Sequence, residues 1–314
     1  MTPYHWESHH GNFGDDLNLW LWDFLLPGFR DVHPQTLLVG VGTVLNASLL
    51  PRGAHKLVVG SGYGYGVAPD VGDSQEWDLR CVRGPKTAER LGLPPDKAIV
   101  DPAVMLAEMP EFQNLSKRHG KTFVPHWESA EFGIWQPVCH QAGLTFLDPR
   151  HEAKAVIRHI AQSELVIAES MHGAIIADAF RVPWIAVSTS PSINHFKWDD
   201  WASSLGTTYR PHLLPVSSRA EASKKRVSFW GIKPNAHDLK PMVTDFAAEK
   251  EGLAHPTPSG NFLRSKVKML LAAPSVAGLS RAARQEPQLS CDGSLDRLKD
   301  RFREVLEAIR KDYL

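Results

Sequence analysis

Cysteine is scarce in this sequence, with three residues in 314, at Cys81, Cys139 and Cys291. No two of them form a CxxC pair, so they can build neither a disulfide framework nor a zinc ribbon. Few and scattered cysteines are typical of a reducing compartment. We therefore expect a cytoplasmic protein.

The sequence also lacks a net charge and a long hydrophobic run. Its 35 basic and 35 acidic residues cancel, so no overall field draws it onto nucleic acid. No window approaches the ~18 uninterrupted apolar residues of a membrane span, and the start MTPYHWESHH lacks the features of a signal peptide. We expect a globular protein that neither binds nucleic acid, crosses a membrane nor enters the secretory route.

Short apolar, β-branched segments alternate with helical patterns along the chain, which is typical of parallel sheets covered by helices. Predicted strands lie at 36–41, 57–59, 79–82, 98–100, 122–124, 144–147, 165–168 and 184–187. Predicted helices lie at 152–162 and 174–180. The second half therefore reads as a βαβαβ unit in an α/β protein.

Two halves are predicted, with domains at 1–118 and 119–314. The polar stretch 110–120 separates them, and the tetrapeptide HWES at 5–8 recurs at 126–129, near the start of each half. Past Trp201 the periodicity fades, and residues 270–294, rich in Ala, Ser, Pro and Gly, predict long loops. An amphipathic helix through Leu295 and Ile309 follows, and we expect it to pack back on the N-terminal half.

Ligands of parallel sheets lie beyond the carboxyl ends of the strands, where loops lead into helix N-termini that favour anions. In loop 12–18, Gly14 allows close approach and Asp15 and Asp16 open a helix, although two acids in a first turn are also common without a function. In loop 169–174, Ser170 is a candidate N-cap, and the His172-Gly173 pair brings imidazole and backbone donors toward one anion. A buried packing histidine is the alternative.

Two further loops and one helix start complete the candidates. The glycine-rich loop 60–66 can cradle a phosphate or leave room for a sugar, but it is neither a Rossmann fingerprint nor a P-loop, which speaks against NAD and ATP. Arg83 follows a strand and opens a helix, facing an anion in the cleft, although an exposed Arg there is unremarkable. Lys197 among tryptophans suits a charged donor beside a sugar face. The fifteen histidines show no metal-ligand spacing, so no metal is expected.

Seven motifs together resemble one family in order and spacing: NFGDDLN at 12–18, GSG at 60–62, RGP at 83–85, DP at 101–102, VPH at 124–126, ESMHGAIIADAFRVPW at 169–184 and KWDDW at 197–201. They resemble the polysaccharide pyruvyl transferases, and especially the subgroup that decorates bacterial exopolysaccharides such as succinoglycan. The likeness covers residues 10–205, about two thirds of the chain. Beyond residue 210 no motif matches.

The resemblance implies an activity and a setting. Pyruvate would pass from phosphoenolpyruvate to two hydroxyls of one sugar, forming a cyclic ketal and releasing phosphate, with no cofactor beyond that donor. The fold would be two Rossmann-like domains, similar to GT-B glycosyltransferases, with the active site in the cleft. The acceptor would be a lipid-linked oligosaccharide, which implies peripheral contact with the inner membrane face. The basic segment 262–284 is a candidate for that contact or a solvated surface loop.

The resemblance also implies roles for particular residues. Arg83, His172 and Lys197 would bind the carboxylate and phosphate of the donor. His172, Asp15 and Glu169 would carry the proton transfers, with Asp16 as a further candidate and the acid and base undecided. Other expected substrate contacts are Asn12, Gly14, Ser61, Gly62, His126, Trp127, Ser170, Gly173 and Trp198.

Two other functions fit the same sequence. A GT-B glycosyltransferase would bind a nucleotide sugar in the same cleft, with Glu169 on the ribose. A non-catalytic carbohydrate-binding protein would keep the fold without turnover. The acceptor sugar, the ketal position and the oligomeric state cannot be predicted, because acceptor contacts come from variable loops.

Overall fold

The computed structural model describes residues 1–7, 10–190, 193–233 and 262–314. It contains two sheets in which all strand pairs are parallel. The spatial order of the first sheet is β1 (Thr2–Tyr4), β2 (Thr36–Val39), β3 (His55–Val59) and β4 (Trp77–Cys81). The order of the second is β6 (Thr145–Phe146), β5 (His119–Val124), β7 (Ser163–Ala168), β8 (Trp184–Ser188) and β9 (His212–Leu213). The predicted α/β class with parallel sheets is confirmed.

Helices connect the strands and cover the sheets. The α-helices are α1 (Leu21–Leu25), α2 (Pro85–Arg90), α3 (Trp127–Phe132), α4 (Trp135–Ala142), α5 (Ala153–Ala161), α6 (Met171–Ala179), α7 (His195–Ser204), α8 (Arg219–Lys225), α9 (Phe262–Leu271), α10 (Ala273–Ala282) and α11 (Asp292–Tyr313). Short 3-10 helices lie at Asp15–Leu19, Phe29–Asp31, Pro95–Lys97, Pro102–Glu108 and Pro110–Phe112. Among the described residues, no helix is long and apolar enough to span a bilayer.

Most predicted strands are confirmed to within a few residues, but the strand at 98–100 is wrong. Only one bridge forms there, between Val82 and Ala98. Prolines on both sides start 3-10 helices, and Pro102 continues the chain directly into the second of them. The edge strands β1 and β9 escaped prediction because three and two residues carry almost no alternation.

The loops predicted for 270–294 are also wrong, since α9, α10 and the start of α11 occupy most of this segment. Pro274 lies in the first turn of α10, where its missing N–H removes no helical hydrogen bond. Small residues let α10 pack closely on its neighbours: α10 contacts α4, and a Cβ on Gly278 would lie 2.9 Å from Pro215 in the segment after β9. The small-residue composition therefore reflects close helix packing. Residues 234–261, and Ser8 of the first HWES copy, lie outside the described residues.

The C-terminal helix is confirmed, and α11 touches both halves of the chain. At its start Asp292 pairs with Arg181 at 2.6 Å. At its end Asp312 pairs with Arg80 at 2.6 Å, and the Tyr313 hydroxyl donates to Asp78 at 2.7 Å. Its buried face joins the largest hydrophobic cluster, which also contains residues from both sheets. The two halves thus share one continuous core.

Candidate active site

The candidate site lies where the carboxyl ends of both sheets face each other. From the first half come loop 12–18, the segment after β2 and the glycine-rich loop after β3. From the second half come the segments after β5 and β7 and the first turn of α7. Parallel strands bring these loops to one edge of each sheet, as expected for a ligand site.

His172 lies in the first turn of α6, and Ser170 is confirmed as the N-cap because its Oγ accepts from Gly173 N at 3.4 Å. The imidazole is largely buried, with Nε2 3.7 Å from Asp101 Oδ2. Its Nδ1 faces loop 12–18, where a Cβ on Gly14 would lie only 1.9 Å away. The structure therefore brings His172 of the second half against Gly14 of the first.

Loop 12–18 is held in place from within and from the second half. The Asn12 side chain accepts from Gly14 N at 3.3 Å and donates to Asp15, and its carbonyl accepts from Asp16 N at 3.0 Å. Phe13 N donates to Pro149 O at 3.0 Å, which joins the loop to the second half. Asn12 therefore shapes the loop that presents Asp15.

Asn18 anchors the same loop, a role that the sequence did not reveal. Its buried amide donates to Val41 O at 2.9 Å and to Asp15 O at 3.0 Å. Its oxygen accepts from Val41 N at 2.9 Å and from Trp22 Nε1 at 3.1 Å. The only sequence signal for these hydrogen bonds is an asparagine between apolar helical residues. That signal does not identify the hydrogen-bond partners.

Asp15 has unusual electrostatics. Burial raises its pKa above the ordinary aspartate value, although the charges of His172 and Lys197 act in the opposite direction. Burial also raises the pKa of Asp16, while a hydrogen bond from the Asn12 backbone opposes this. A carboxyl with a raised pKa is a better candidate for a general acid than an ordinary aspartate.

Lys197 supplies a cation to the same region. Asn194, the N-cap of α7, donates to Gly64 O and so ties this helix start to the glycine-rich loop. The Lys197 ammonium lies 5.6 Å from the centre of the Tyr65 ring. Its charge opposes the increase that burial causes in the pKa of Asp15, and it contributes to the lowered pKa of His126. Lys197 is thus electrostatically coupled to loops from both halves.

His126 and Trp127 follow β5 at the same edge. Burial, and then the charge of Lys197, lowers the pKa of His126 to about 3, so its imidazole is neutral at pH 7. Trp127 stacks on His10, with ring centres 5.7 Å apart and planes within 6°. A neutral imidazole and a large aromatic surface are suited to a sugar more than to an anion.

In the structure Arg83 makes internal contacts, whereas the sequence predicted that it binds the phosphate or carboxylate of the substrate. Its buried guanidinium pairs through Nε with Asp200 at 3.0 Å and donates to Thr43 Oγ1 at 2.7 Å and to Tyr63 O at 2.9 Å. A Cβ on Gly62 would lie 2.2 Å from its Cζ, so the loop packs directly on this cation. Other residues of the protein accept hydrogen bonds from this guanidinium, and Arg83 thereby links α7 to the first half.

Glu169 is likewise committed to internal contacts. One oxygen accepts from His126 N at 2.9 Å and from Ser129, and the other accepts from Lys225 Nζ at 3.0 Å and from Thr189. Burial alone would raise the pKa of Glu169, but Lys225 and the two hydroxyls outweigh it and lower the pKa to about 2. Glu169 is therefore an ionised structural group, which argues against the predicted roles as proton donor or ribose ligand.

Four other residues that were predicted as substrate contacts pack or form hydrogen bonds within the protein. Ser61 is buried and donates to Gly42 O at 3.2 Å, and Gly173 packs tightly against Val124. Trp198 is fully buried, with its ring 4.6 Å from that of Tyr209, which argues against the predicted substrate contact. Gly62, as noted, makes room for the Arg83 guanidinium.

A cavity of about 330 Å³ lies at the carboxyl ends of β8 and β9. Among the described residues, its walls are Ser188, Thr189, Ser190, His195, Leu213, Leu214, Pro215, Val216, Val227 and Ser228. These residues supply hydroxyls and one imidazole but neither lysine nor arginine. The cavity is therefore less suited to a dianion than the region around Lys197 and His172.

Comparisons with known proteins add an independent observation. The family model described as polysaccharide pyruvyl transferase matches residues 73–191. The succinoglycan biosynthesis protein ExoV of Rhizobium meliloti (strain 1021) is 59% identical over 321 aligned positions, which span 100% of both sequences. No solved structure matches the chain.

Proposed function

The chain belongs to the polysaccharide pyruvyl transferase family, and on that premise we propose that it transfers pyruvate from phosphoenolpyruvate to two hydroxyls of one sugar. The product is a cyclic ketal and the released group is phosphate. Full-length similarity to a succinoglycan biosynthesis protein supports an exopolysaccharide repeat unit as the acceptor. The proposed site lies between the two halves, where loop 12–18 meets α6.

One observation carries the proposal: Gly14 of the first half packs against His172 of the second, and Asp15 interacts electrostatically with both His172 and Lys197. Phosphoenolpyruvate carries a phosphate and a carboxylate, and Lys197 together with the N-terminus of α6 favours such a ligand. A carboxyl with a raised pKa beside an imidazole supplies the acid and base.

The proposed reaction transfers the proton of Asp15 and the protons of two sugar hydroxyls. Asp15 gives its proton to C3 of the donor, which makes C2 electrophilic. The first hydroxyl forms a C–O bond to C2, the C2–O bond to phosphate breaks, and the second hydroxyl closes the ring. Of the two hydroxyl protons, one returns to Asp15 and the other passes through His172 to the departing phosphate. The net reaction consumes the donor and the diol and yields ketal and phosphate.

The test is turnover with a matched histidine control. Purified protein is incubated with phosphoenolpyruvate and extracted lipid-linked repeat units, and phosphate and product mass are followed. We expect the His172→Ala substitution to reduce phosphate release by about 10²–10⁴-fold, the usual contribution of an acid–base group. His140→Ala changes an exposed histidine on α4 and should leave the rate unchanged. Full activity of His172→Ala contradicts the assignment.

Contact with a membrane surface is a separate part of the proposal. A lipid-linked acceptor requires the enzyme to reach the bilayer, and α9 exposes Val267 and Leu270 near Lys268. Exposed apolar and basic side chains together favour an anionic bilayer surface. Sedimentation with anionic vesicles tests this, and binding that is unaffected by Lys268→Glu together with Arg281→Glu would remove the idea.

A further inference from the structure

We infer that Asp101 is the positioning residue that keeps a proton on His172 Nε2 and leaves Nδ1 as the reacting nitrogen. This inference rests on the proposed function for its catalytic part. Asp101 Oδ2 lies 3.7 Å from His172 Nε2. Both atoms are buried, and neither has a hydrogen-bond partner in the part of the chain that the structure describes.

The local fold explains why Asp101 points there. Asp101 is the N-cap of the 3-10 helix Pro102–Glu108, and its Oδ1 accepts from Ala103 N at 3.0 Å. That bond fixes the carboxylate and leaves Oδ2 directed at the imidazole. Gly60 packs against Pro102, where a Cβ would lie 2.5 Å from the proline ring and the backbone φ is +92°. The start of this 3-10 helix is therefore held by the loop after β3.

A buried carboxylate beside one imidazole nitrogen determines where the proton is carried. The tautomer with N–H on the nitrogen facing the carboxylate is stabilised, and the other nitrogen keeps its lone pair. The separation of 3.7 Å exceeds a hydrogen bond, and catalytic contacts are often long before substrate binds. Phe13 meets the imidazole edge-on with ring centres 6.5 Å apart, which restricts the ring orientations.

This tautomer gives His172 Nδ1 and Asp15 different roles in proton transfer. With the proton on Nε2, Nδ1 faces Gly14 as an acceptor, and His172 interacts electrostatically with the neighbouring Asp15. It can receive a hydroxyl proton from the sugar, while Asp15 provides the proton for C3. Because Asp101 belongs to the first half and His172 to the second, the pair also depends on the two halves being assembled.

The test combines a spectroscopic readout with kinetics. Protein labelled with ¹⁵N-histidine is examined by NMR, with His172→Gln used to assign the His172 signals. We expect wild-type Nε2 at the position of a protonated nitrogen and Nδ1 at that of a bare one. In Asp101→Asn the amide can donate to Nε2, so the proton should move to Nδ1. We expect kcat to fall by about 10²–10⁴-fold while KM for phosphoenolpyruvate changes less than about threefold.

A second buried aspartate provides the control. Asp178 lies on the same helix as His172 and accepts from Ser290 N at 2.9 Å. Asp178→Asn should retain the wild-type tautomer even if its melting temperature falls. An unchanged tautomer in Asp101→Asn, or a changed tautomer with undiminished kcat, overturns the inference. If wild-type protein shows no turnover of phosphoenolpyruvate, the proposed function fails while the tautomer result still decides the role of Asp101.

Discussion

At the scale of single residues, a glycine of the first half packs directly against the histidine of the second. A Cβ on Gly14 would lie 1.9 Å from His172 Nδ1, so any side chain must displace the imidazole. We expect Gly14→Ala to lower kcat/KM by about 100-fold or more, since displacing a reacting group by about 1 Å has effects of that size. Steady-state phosphate release measures it. Gly120→Ala is the control, because no atom of the described residues lies within 4 Å of a Cβ there. Equal rates for the two variants would show that Gly14 does not position His172.

Glu169 gives a prediction about stability in acid. Its pKa is lowered to about 2 in the folded protein from 4.5. Between those values the unfolded chain binds the proton and the folded chain does not, so falling pH favours unfolding. We expect Glu169→Gln to reduce the free energy of unfolding by about 3 kcal/mol at pH 7 because it breaks a buried ion pair. Below pH 4.5 the difference in unfolding free energy between the wild-type protein and Glu169→Gln should shrink.

Urea unfolding of both proteins at pH 7, 5, 4 and 3 measures the gap. His126, with a pKa lowered to about 3, weakens both proteins as pH falls below 6.5, so only their difference is informative. A gap that stays constant over the whole pH range would show that the ionisation of Glu169 contributes nothing to folding.

Residue types on loops were predictable from the sequence, but their partners were not. Ser170 as an N-cap needs only local pattern, and it is confirmed. Arg83 and Glu169 are neutralised by Asp200 and Lys225, which lie 117 and 56 residues away in the chain. No local pattern reveals such pairs. The local sequence around an arginine in an internal ion pair does not differ from that around an arginine that binds a ligand.

At the scale of elements, the contact between α2 and α7 fixes Lys197 relative to the first half. Asp200 of α7 accepts from Thr87 N at 2.8 Å and Thr87 Oγ1 at 2.6 Å, besides pairing with Arg83. We expect Asp200→Ala to cost about 3–5 kcal/mol, because it leaves a buried guanidinium unpaired. Chemical denaturation measures the change.

The neighbouring aspartate is the control for that substitution. Asp199 pairs with Lys86 at 3.3 Å, and both side chains are more than one-third exposed. Asp199→Ala should therefore cost less than about 1 kcal/mol. Similar losses for the two variants would mean that the buried pair does not hold α7 in place.

Elements with strong periodicity were predicted, and elements made of small residues were not. The strands at 36–41 and 165–168 have continuous apolar runs and are confirmed as β2 and β7. The segment that forms α10 has Ala, Ser, Pro and Gly, which resembles a loop in composition. The helix is stabilised by close packing against α4 and Pro215, a tertiary effect that composition does not show.

At the scale of the whole molecule, α11 ties the two halves into one core. Phe302 on this helix is fully buried in the cluster shared by both sheets. We expect Phe302→Ala to cost about 3–5 kcal/mol, the range for removing a buried aromatic side chain. Amide hydrogen exchange should then accelerate in β3 and in β7 together.

An exposed residue two positions along provides the comparison. Glu304 on α11 is exposed, and Glu304→Ala should change the free energy of unfolding by no more than about 0.5 kcal/mol. If exchange in Phe302→Ala accelerates in one sheet only, the two halves are separate folding units and the shared core does not couple them.

The most direct measurement of the central claim is a crystal structure with phosphoenolpyruvate bound. We expect the phosphate and carboxylate within hydrogen-bonding distance of Lys197 and His172, with C3 beside Asp15. Phosphoenolpyruvate found instead in the cavity at the carboxyl ends of β8 and β9, or away from both loops, would contradict this expectation.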